Sequence, residues 1–385
     1  MARNRNSGLI KLVWRIEWLL YVSLEWFLGL FPLKGVFLFG EMVGSIVYRC
    51  SPTYRGIVYR NLRIAGAREG LYDPCEREVE EVFRRNGGNM LTTLVAHKVT
   101  PEELPKYLEV RGKHLLNGVL ETSGAVVMLA HMGNWEVLTK GALQLETGVP
   151  MGALYRPLNN PYVNDLVLKR RESAGMTLIS ARNPAFALMK ILKKGGVVSI
   201  LSDQRLGNRG SFISFFGRAT PGTRLTHLLH EKTGCPLLTV QMETLAPAQW
   251  RLTFTRHEEL TEQEAMDCLA RDMQASLADC FWFQDRWQEF PKHDYLEADR
   301  RCVSTYFGKK TLIGIIESRA ILEAHPEIEE KLADYELLIW DEGASPREAY
   351  FAIGSSPEFF KACRVHGLKK ATKPVEEAKR YLGIR

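Results

Sequence analysis

The chain has 385 residues, of which 45% are apolar and 25% are charged, and its formal net charge is +6 at pH 7. This composition is that of a folded globular protein and excludes a disordered or fibrous chain, and the length favours a large domain plus a smaller one. The mild positive charge favours anionic partners such as lipid headgroups, phosphosugars or an acidic carrier protein, without choosing among them. The seven cysteines are scattered and include no CxxC pair, which indicates reduced thiols and argues against a structural zinc site.

A segment rich in leucine and aromatic residues lies near the start of the chain. Residues 11–31 (KLVWRIEWLLYVSLEWFLGLF) are interrupted by Arg15, Glu17 and Glu25, so the segment is a poor candidate for a membrane span. On a helical wheel, Lys11, Arg15 and Glu25 fall within an arc of about 80°, which predicts an amphipathic helix on a membrane surface. A helix packed on the protein's own core is the alternative. A signal peptide fits less well, because Glu17 interrupts the apolar region and no small-residue cleavage site follows.

The stretch SGAVVMLAHMGNWE, residues 123–136, is the most informative in the chain. Its unbroken apolar run, Ala125–Ala130, predicts a strand that is buried on both faces and ends at His131. In open α/β sheets, ligands bind beyond the carboxyl ends of the strands. His131 is therefore a candidate catalytic residue, and a structural histidine at a strand end is the alternative.

The residues after this histidine predict a turn and then a helix. Asn134 is placed to cap a helix over Trp135–Thr147, with Glu136 in its first turn. The spacing His-x4-Glu recurs elsewhere in the chain, for example at His97, so the spacing alone does not identify a functional pair. The pair at His131 is singled out by the strand, turn and helix predicted around it.

Strands and helices alternate along the rest of the central region. The predicted strands are Met151–Tyr155, Met176–Ser180, Val197–Leu201, Leu237–Met242 and Trp250–Thr255, and the predicted helices are Asn160–Ala174, Pro184–Lys194, Thr223–Thr233 and Thr261–Phe283. This alternation predicts an α/β fold with a mostly parallel sheet flanked by helices. Such a sheet would gather His131, Arg156 and Asp203 at one edge, because each follows a strand. The glycine-punctuated segment Gly207–Gly222 is predicted to be a long functional loop.

The composition predicts three parts. Residues 1–50 hold N-terminal apolar, membrane-associated helices; residues 51–299 hold the main domain; residues 300–385 form a small C-terminal α/β unit of unknown role. The strands predicted for the C-terminal unit are Thr311–Ile316 and Glu336–Trp340, separated by a helix over Ser318–Leu332. The charged segment Lys292–Arg301 is expected to join this unit to the main domain.

Several motifs between about residues 10 and 290 are together characteristic of one enzyme family. They are AHMGNWE (130–136), LYRPLNNP (154–161), RRESAG (170–175), SDQRLGNRGSFISFFGRATPGT (202–223), YRNL (59–62) and FWFQDRW (281–287). In this combination the chain resembles the lipid A biosynthesis acyltransferases, the lauroyl/myristoyl branch of the lysophospholipid acyltransferase superfamily. The C-terminal unit lies outside the resemblance.

The resemblance implies transfer of a fatty acyl group from an acyl carrier protein or acyl-CoA to a lipid hydroxyl, at the cytoplasmic face of the inner membrane. It implies no cofactor other than the donor thioester, no metal and no nucleic acid. The family's His-x4-Asp/Glu motif (HxxxxE here) maps onto His131 and Glu136. Its arginine motif maps onto Arg156, and its Asp-Gln segment onto Asp203 and Gln204.

The chemistry of these side chains is consistent with that activity. A neutral imidazole at His131 can take the hydroxyl proton, and Glu136 can orient the imidazole and stabilise the imidazolium. The helix N-terminus at Asn134, or Gln204, can donate to the oxyanion that develops on the thioester carbonyl.

Phosphate binding is a further expected task, which Arg156 and Arg205 could perform. A solvent-facing or glutamate-paired side chain is the alternative for Arg205, and a strand-end cap is the alternative for Asp203.

Other activities stay open from the sequence. Lysophospholipid or phosphatidylinositol mannoside acyltransferases present similar chemistry. A lipid or thioester hydrolase is less consistent, because the chain lacks a GxSxG motif, and metal-dependent hydrolysis would need more ligands near His131. A catalytically inactive membrane-binding protein is the remaining class.

Overall fold

The computed structural model describes residues 8–137, 148–173, 175–180, 184–206, 210–257, 260–287, 291, 293–302, 304 and 306–384. The chain folds into two compact units, each assembled from segments distant in sequence. The first unit combines Met1–Met42, Arg85–Ser202 and Leu225–Glu259, and the second combines Val43–Arg84, Asp203–Arg224 and Leu260–Arg385.

The first unit is built on a mostly parallel sheet. Its described strands, numbered along the whole chain, are β1 (Leu108–Arg111), β2 (Ala125–Leu129), β3 (Met151–Tyr155), β4 (Met176–Ser180), β5 (Val197–Leu201), β8 (Leu237–Ala246) and β9 (Gln249–His257). Their order is β1-β9-β8-β2-β5-β3-β4, and within this sheet only the β8–β9 pair is antiparallel. Every residue of β2 is buried, as the apolar run predicts for a central parallel strand. The predicted α/β fold with a mostly parallel sheet is confirmed.

Helices flank this sheet. Those wholly or partly in the first unit are α1 (Gly8–Leu28), α2 (Leu33–Cys50), α4 (Glu76–Val95), α5 (Lys113–Leu120), α6 (Pro161–Ser173), α7 (Ala185–Leu192) and α8 (Leu225–Thr233). Helices α5 and α8 contact β2, and α7 contacts β3 and β5. A further helix begins at Trp135; its predicted continuation over 138–147 lies outside the described residues.

Helix α1 turns its apolar side outward. Glu25 and Leu28 are buried, whereas its large apolar side chains are widely exposed, among them Leu9, Leu12, Ile16, Leu19, Leu20, Trp26 and Phe27. The polar arc predicted from the sequence is thus split, because Glu25 is buried while Lys11 and Arg15 stay exposed. Within the described residues, no helix has the length and hydropathy of a membrane span.

The second unit contains a small parallel sheet and a hairpin. Its described strands are β6 (Ser211–Phe215), β7 (Arg218–Gly222), β10 (Ile313–Ile316), β11 (Glu336–Ile339), β12 (Phe351–Gly354) and β13 (Thr372–Pro374). Its helices are α3 (Pro52–Ala65), α9 (Glu262–Gln274), α10 (His293–Arg301), α11 (Arg319–Ala324), α12 (Pro326–Lys331), α13 (Pro357–Val365) and α14 (Val375–Leu382). The parallel strands are ordered β11-β10-β12-β13, and β6 pairs with β7 in an antiparallel hairpin.

Several sequence-based expectations are wrong in this unit. The long loop expected over Gly207–Gly222 is, in its described part, the β6–β7 hairpin. The expected linker Lys292–Arg301 contains helix α10, which contacts β6 and β7. The helix expected over Thr261–Phe283 ends at Gln274, and the one over Ser318–Leu332 is broken at Pro326.

Buried ion pairs and hydrogen bonds join the C-terminal residues to the rest of this unit. Arg218 of β7 is fully buried, contacts Asp299 of α10 at 2.8 Å and donates to the carbonyl of Lys310 at 2.8 Å. Arg60 of α3 is also fully buried and donates to the carbonyls of Arg347 and His366 at 3.3 and 2.9 Å. The division at residues 50 and 300 stays a prediction.

Candidate functional site

The carboxyl ends of β2, β5 and β3 lie side by side in the sheet of the first unit. Leu129 of β2 is opposite Leu201 of β5, and the amide of Ser202 donates to the carbonyl of Leu129 at 2.9 Å. Strand β3 pairs in parallel with β5 on the other side. His131 and Arg156 therefore both follow strand ends at one edge of the sheet, as the alternation of elements predicts.

A tight turn leads from β2 to the helix that begins at Trp135. Gly133 has φ of +57°, and a Cβ atom there would lie 2.9 Å from Cγ of Met242, so the turn requires glycine. The ring of His131 meets that of Trp135 edge to face, with 5.5 Å between centroids. The His131 side chain is half-buried and lies beside the first turn of the helix.

Asn134 holds this turn in place through two side-chain hydrogen bonds. Its side chain is fully buried; Oδ1 accepts from the Thr93 hydroxyl at 3.0 Å, and Nδ2 donates to the Thr92 hydroxyl at 3.1 Å. Both threonines belong to α4, so the side chain of Asn134 holds the turn against that helix. This supports a structural role for the side chain, and its contact with substrate stays a prediction.

Glu136 is held by an arginine that the sequence analysis did not include in the site. Arg171 Nε donates to one carboxylate oxygen at 3.1 Å and Nη2 donates to the other, which is a bidentate contact. The two side chains are 24% and 19% exposed, so the pair is largely shielded from water. In the sequence, Arg171 is visible only as part of the double arginine of RRESAG, and basic side chains at a helix end are more often solvated. Its partner, Glu136, lies 35 residues away along the chain.

Arg156 lies just after β3 on an exposed loop. Asn164 shapes this loop: its Oδ1 accepts from the amide of Leu158 at 2.9 Å and from the Tyr155 hydroxyl. Burial raises the pKa of Tyr155, so its hydroxyl stays a hydrogen-bond donor at neutral pH. The Arg156 side chain is exposed, and its role in binding a phosphate stays a prediction.

The remaining predicted site residues belong to the second unit. Asp203 is 3% exposed and lies 3.5 Å from Arg286 Nη2, whose guanidinium lies 4.7 Å from the centre of the Phe215 ring. Burial lowers the pKa of Arg286 and the charge of Asp203 opposes this shift. Gln204 and Arg205 are half-buried. Arg286, from the motif FWFQDRW, is a partner of Asp203 that the sequence did not indicate.

Groups of three or more histidine, cysteine, aspartate or glutamate side chains that could bind a metal do not occur in the described ranges.

The family model for bacterial lipid A biosynthesis acyltransferases matches residues 6–289, well over half of the chain. No curated protein matches the chain. The matched range includes every site residue named above, and residues 290–385 lie outside it.

Proposed function

Because the chain belongs to the family of bacterial lipid A biosynthesis acyltransferases, we propose that it transfers a fatty acyl group from a thioester to a hydroxyl of a membrane lipid. The donor is an acyl carrier protein or acyl-CoA, and the acceptor is a membrane glycolipid or lipid A precursor. The observation that carries the proposal is the position of His131 at the end of a buried parallel strand, inside the matched range.

His131 is proposed as the general base. A neutral imidazole takes the proton from the acceptor hydroxyl as its oxygen attacks the thioester carbonyl. The bond from acyl carbon to sulfur then breaks, and the proton held by the imidazole passes to the leaving thiolate. No step in this scheme needs a metal or a further cofactor.

Glu136 is proposed to orient the imidazole and to stabilise the imidazolium that forms. Its bidentate contact with Arg171 fixes where the carboxylate lies, and a carboxylate has enough lone pairs to accept a further N–H. The positive charge of Arg171 also offsets part of the negative charge of Glu136. Arg171 therefore weakens the electrostatic stabilisation of the imidazolium while it fixes the position of the carboxylate.

The backbone N–H groups at the N-terminus of the helix beginning at Trp135 are proposed to donate to the developing oxyanion. Exposed Arg156 is proposed to bind a phosphate of the lipid or of the donor. Asp203, Gln204 and Arg205 stay proposed substrate contacts, and for Asp203 the buried pair with Arg286 supports a structural role as well.

The exposed apolar surface of α1 is proposed to lie on the membrane. Leu20 and Trp26 are 66% and 65% exposed, and Phe39 and Met42 of α2 are exposed as well. Apolar area of this extent is costly in water and favourable at the boundary between headgroups and acyl chains. The cytoplasmic face of the inner membrane is the proposed location.

Turnover of acyl-CoA and of acyl carrier protein thioesters, with and without a lipid acceptor in vesicles, tests this function. A transferase forms an acylated lipid and releases thiol only when the acceptor is present. Equal thiol release without acceptor, together with free fatty acid, would indicate a hydrolase. Absence of turnover with either donor would favour a membrane-binding protein.

A further inference from the structure

Helix α1 does more than expose an apolar surface, because its other side is tied to α6 by polar contacts. Near the start of α6, Asn160 Nδ2 donates to the carbonyl of Trp14 at 2.8 Å and to Glu17 Oε2 at 2.9 Å. Near its end, Arg170 Nη2 contacts Glu25 Oε1 at 2.7 Å. The two helices are thus fixed to each other at both ends of α6.

Of these contacts, the one at Glu25 requires a charged side chain to be buried, which costs free energy. The Glu25 side chain is only 9% exposed, and Nε2 of His97 lies 3.1 Å from the same oxygen that Arg170 contacts. A buried carboxylate is destabilising unless it is paired and hydrogen-bonded. A helix that served only to hold the protein on lipid would keep such a carboxylate in water, so its inward position indicates a role in the interior.

Arg170 is followed directly by Arg171, the residue that holds Glu136. Successive residues of a helix point about 100° apart, so the two guanidinium groups leave the last turn of α6 in different directions. One reaches Glu25 on α1 and the other reaches Glu136 beside His131. The same helical turn therefore joins α1 to the candidate site.

Tyr21, one turn before Glu25 on α1, gives a second line of support. Burial raises its pKa, the charge of Arg170 lowers it, and the charges of Glu25 and Glu136 raise it further. The side chain of Tyr21 is thus affected by the charges of both carboxylates, in agreement with the contacts between α1 and α6.

We propose that α1 is a positioning element of the candidate site: Glu25, through Arg170, fixes the end of α6 from which Arg171 holds Glu136. The inference rests on the proposed function. In this arrangement the helix that contacts the lipid also sets the geometry of the His131–Glu136 pair. Glu25 and Arg170 are positioning residues that act through Arg171.

The test measures thioester turnover on vesicles for the parent protein and for three full-length variants. The variants are Glu25→Gln, Arg171→Ala and the double variant. Glu25→Gln keeps the shape and removes the charge, and small displacements at a reacting centre cost up to about 100-fold. We expect kcat to fall about 10-fold, KM for the thioester to change less than about twofold, and sedimentation with vesicles to be unchanged. Because Glu25 acts through Arg171, the double variant should be no slower than Arg171→Ala alone.

Lys11→Gln is the control, since it removes a charge from an exposed position on the same helix, away from the contacts with α6 described above. Its turnover should stay within about twofold of the parent protein. Multiplicative losses of Glu25→Gln and Arg171→Ala, or full activity of Glu25→Gln, would overturn the proposal.

Hydrogen exchange of residues 131–137 provides a measurement that needs no activity. Glu25→Gln should speed exchange of this segment several-fold, although Glu25 belongs to a distant part of the sequence. If Glu25→Gln does not fold, Arg170→Lys, which keeps the charge and loses the planar fork, should give the same effect at smaller size. Unchanged exchange in a folded variant would refute the positioning role, whereas an inactive parent protein with faster exchange in Glu25→Gln would refute only the proposed function.

Discussion

Replacing Arg171 by alanine removes the bidentate partner of Glu136 and leaves its neighbours in place. The two side chains are 24% and 19% exposed, so the contact lies between a solvent-exposed ion pair and a fully buried one. A hydrogen bond to a charged group in such a setting contributes about 1.5–3 kcal/mol. If this free energy is lost in the transition state, turnover falls about 10- to 150-fold.

The assay is thioester turnover on vesicles at saturating donor, with thermal melts of every variant. Arg171→Lys keeps the charge and loses the second hydrogen bond, so its activity should be intermediate. Lys169→Ala, an exposed change on the same helix, is the control and should stay within about twofold. A folded Arg171→Ala protein with full turnover would show that the carboxylate does not need this partner.

Three further predictions concern the membrane surface, acid stability and the C-terminal residues. Trp26→Ser should reduce sedimentation with vesicles and leave the melting temperature within a few degrees, because the side chain is 65% exposed; unchanged sedimentation would place the contact surface elsewhere. Burial lowers the pKa of His97 and of His366 in the folded protein below the ordinary 6.5. Below that pH the unfolded chain therefore binds more protons than the folded protein does, and the melting temperature should fall from about pH 6.5 downward. His97→Gln should weaken that fall, and an equal slope would refute the assignment. Deleting residues 300–385 removes backbone carbonyls that accept hydrogen bonds from the buried Arg60 and Arg218, and each hydrogen bond to a charged group contributes about 1.5–3 kcal/mol, so the shortened chain should melt at a clearly lower temperature; a cooperative melt at the full-length temperature would contradict this.

The sequence was most informative where a single local signal decides the structure. Strands β3, β4 and β5 begin and end at the residues predicted, because each is a short apolar run between residues that break regular structure. Their parallel arrangement also followed, since the alternation of strands and helices leaves few topologies. The position of His131 at a strand end needed no further information.

Contacts between distant segments were not predictable in this way. Strand β1 (LEVR) has two charged residues in four and lies at the sheet edge, so it carries no continuous apolar signal. The β6–β7 hairpin turns at Phe216 with φ of +52°, a conformation that a phenylalanine rarely adopts and that no sequence rule indicates. The burial of Glu25 depends on Arg170, 145 residues further along the chain.

The most direct test of the central claim is a double-mutant cycle in thioester turnover with His131→Ala, Glu136→Gln and the double variant. If His131 is the base and Glu136 acts through it, His131→Ala lowers turnover by about 10²- to 10⁴-fold with thioester binding unchanged. Glu136→Gln is then also severely impaired, and the double variant is hardly slower than His131→Ala alone. Losses that multiply, or a lower melting temperature that accounts for the loss in His131→Ala, would contradict catalysis by this pair.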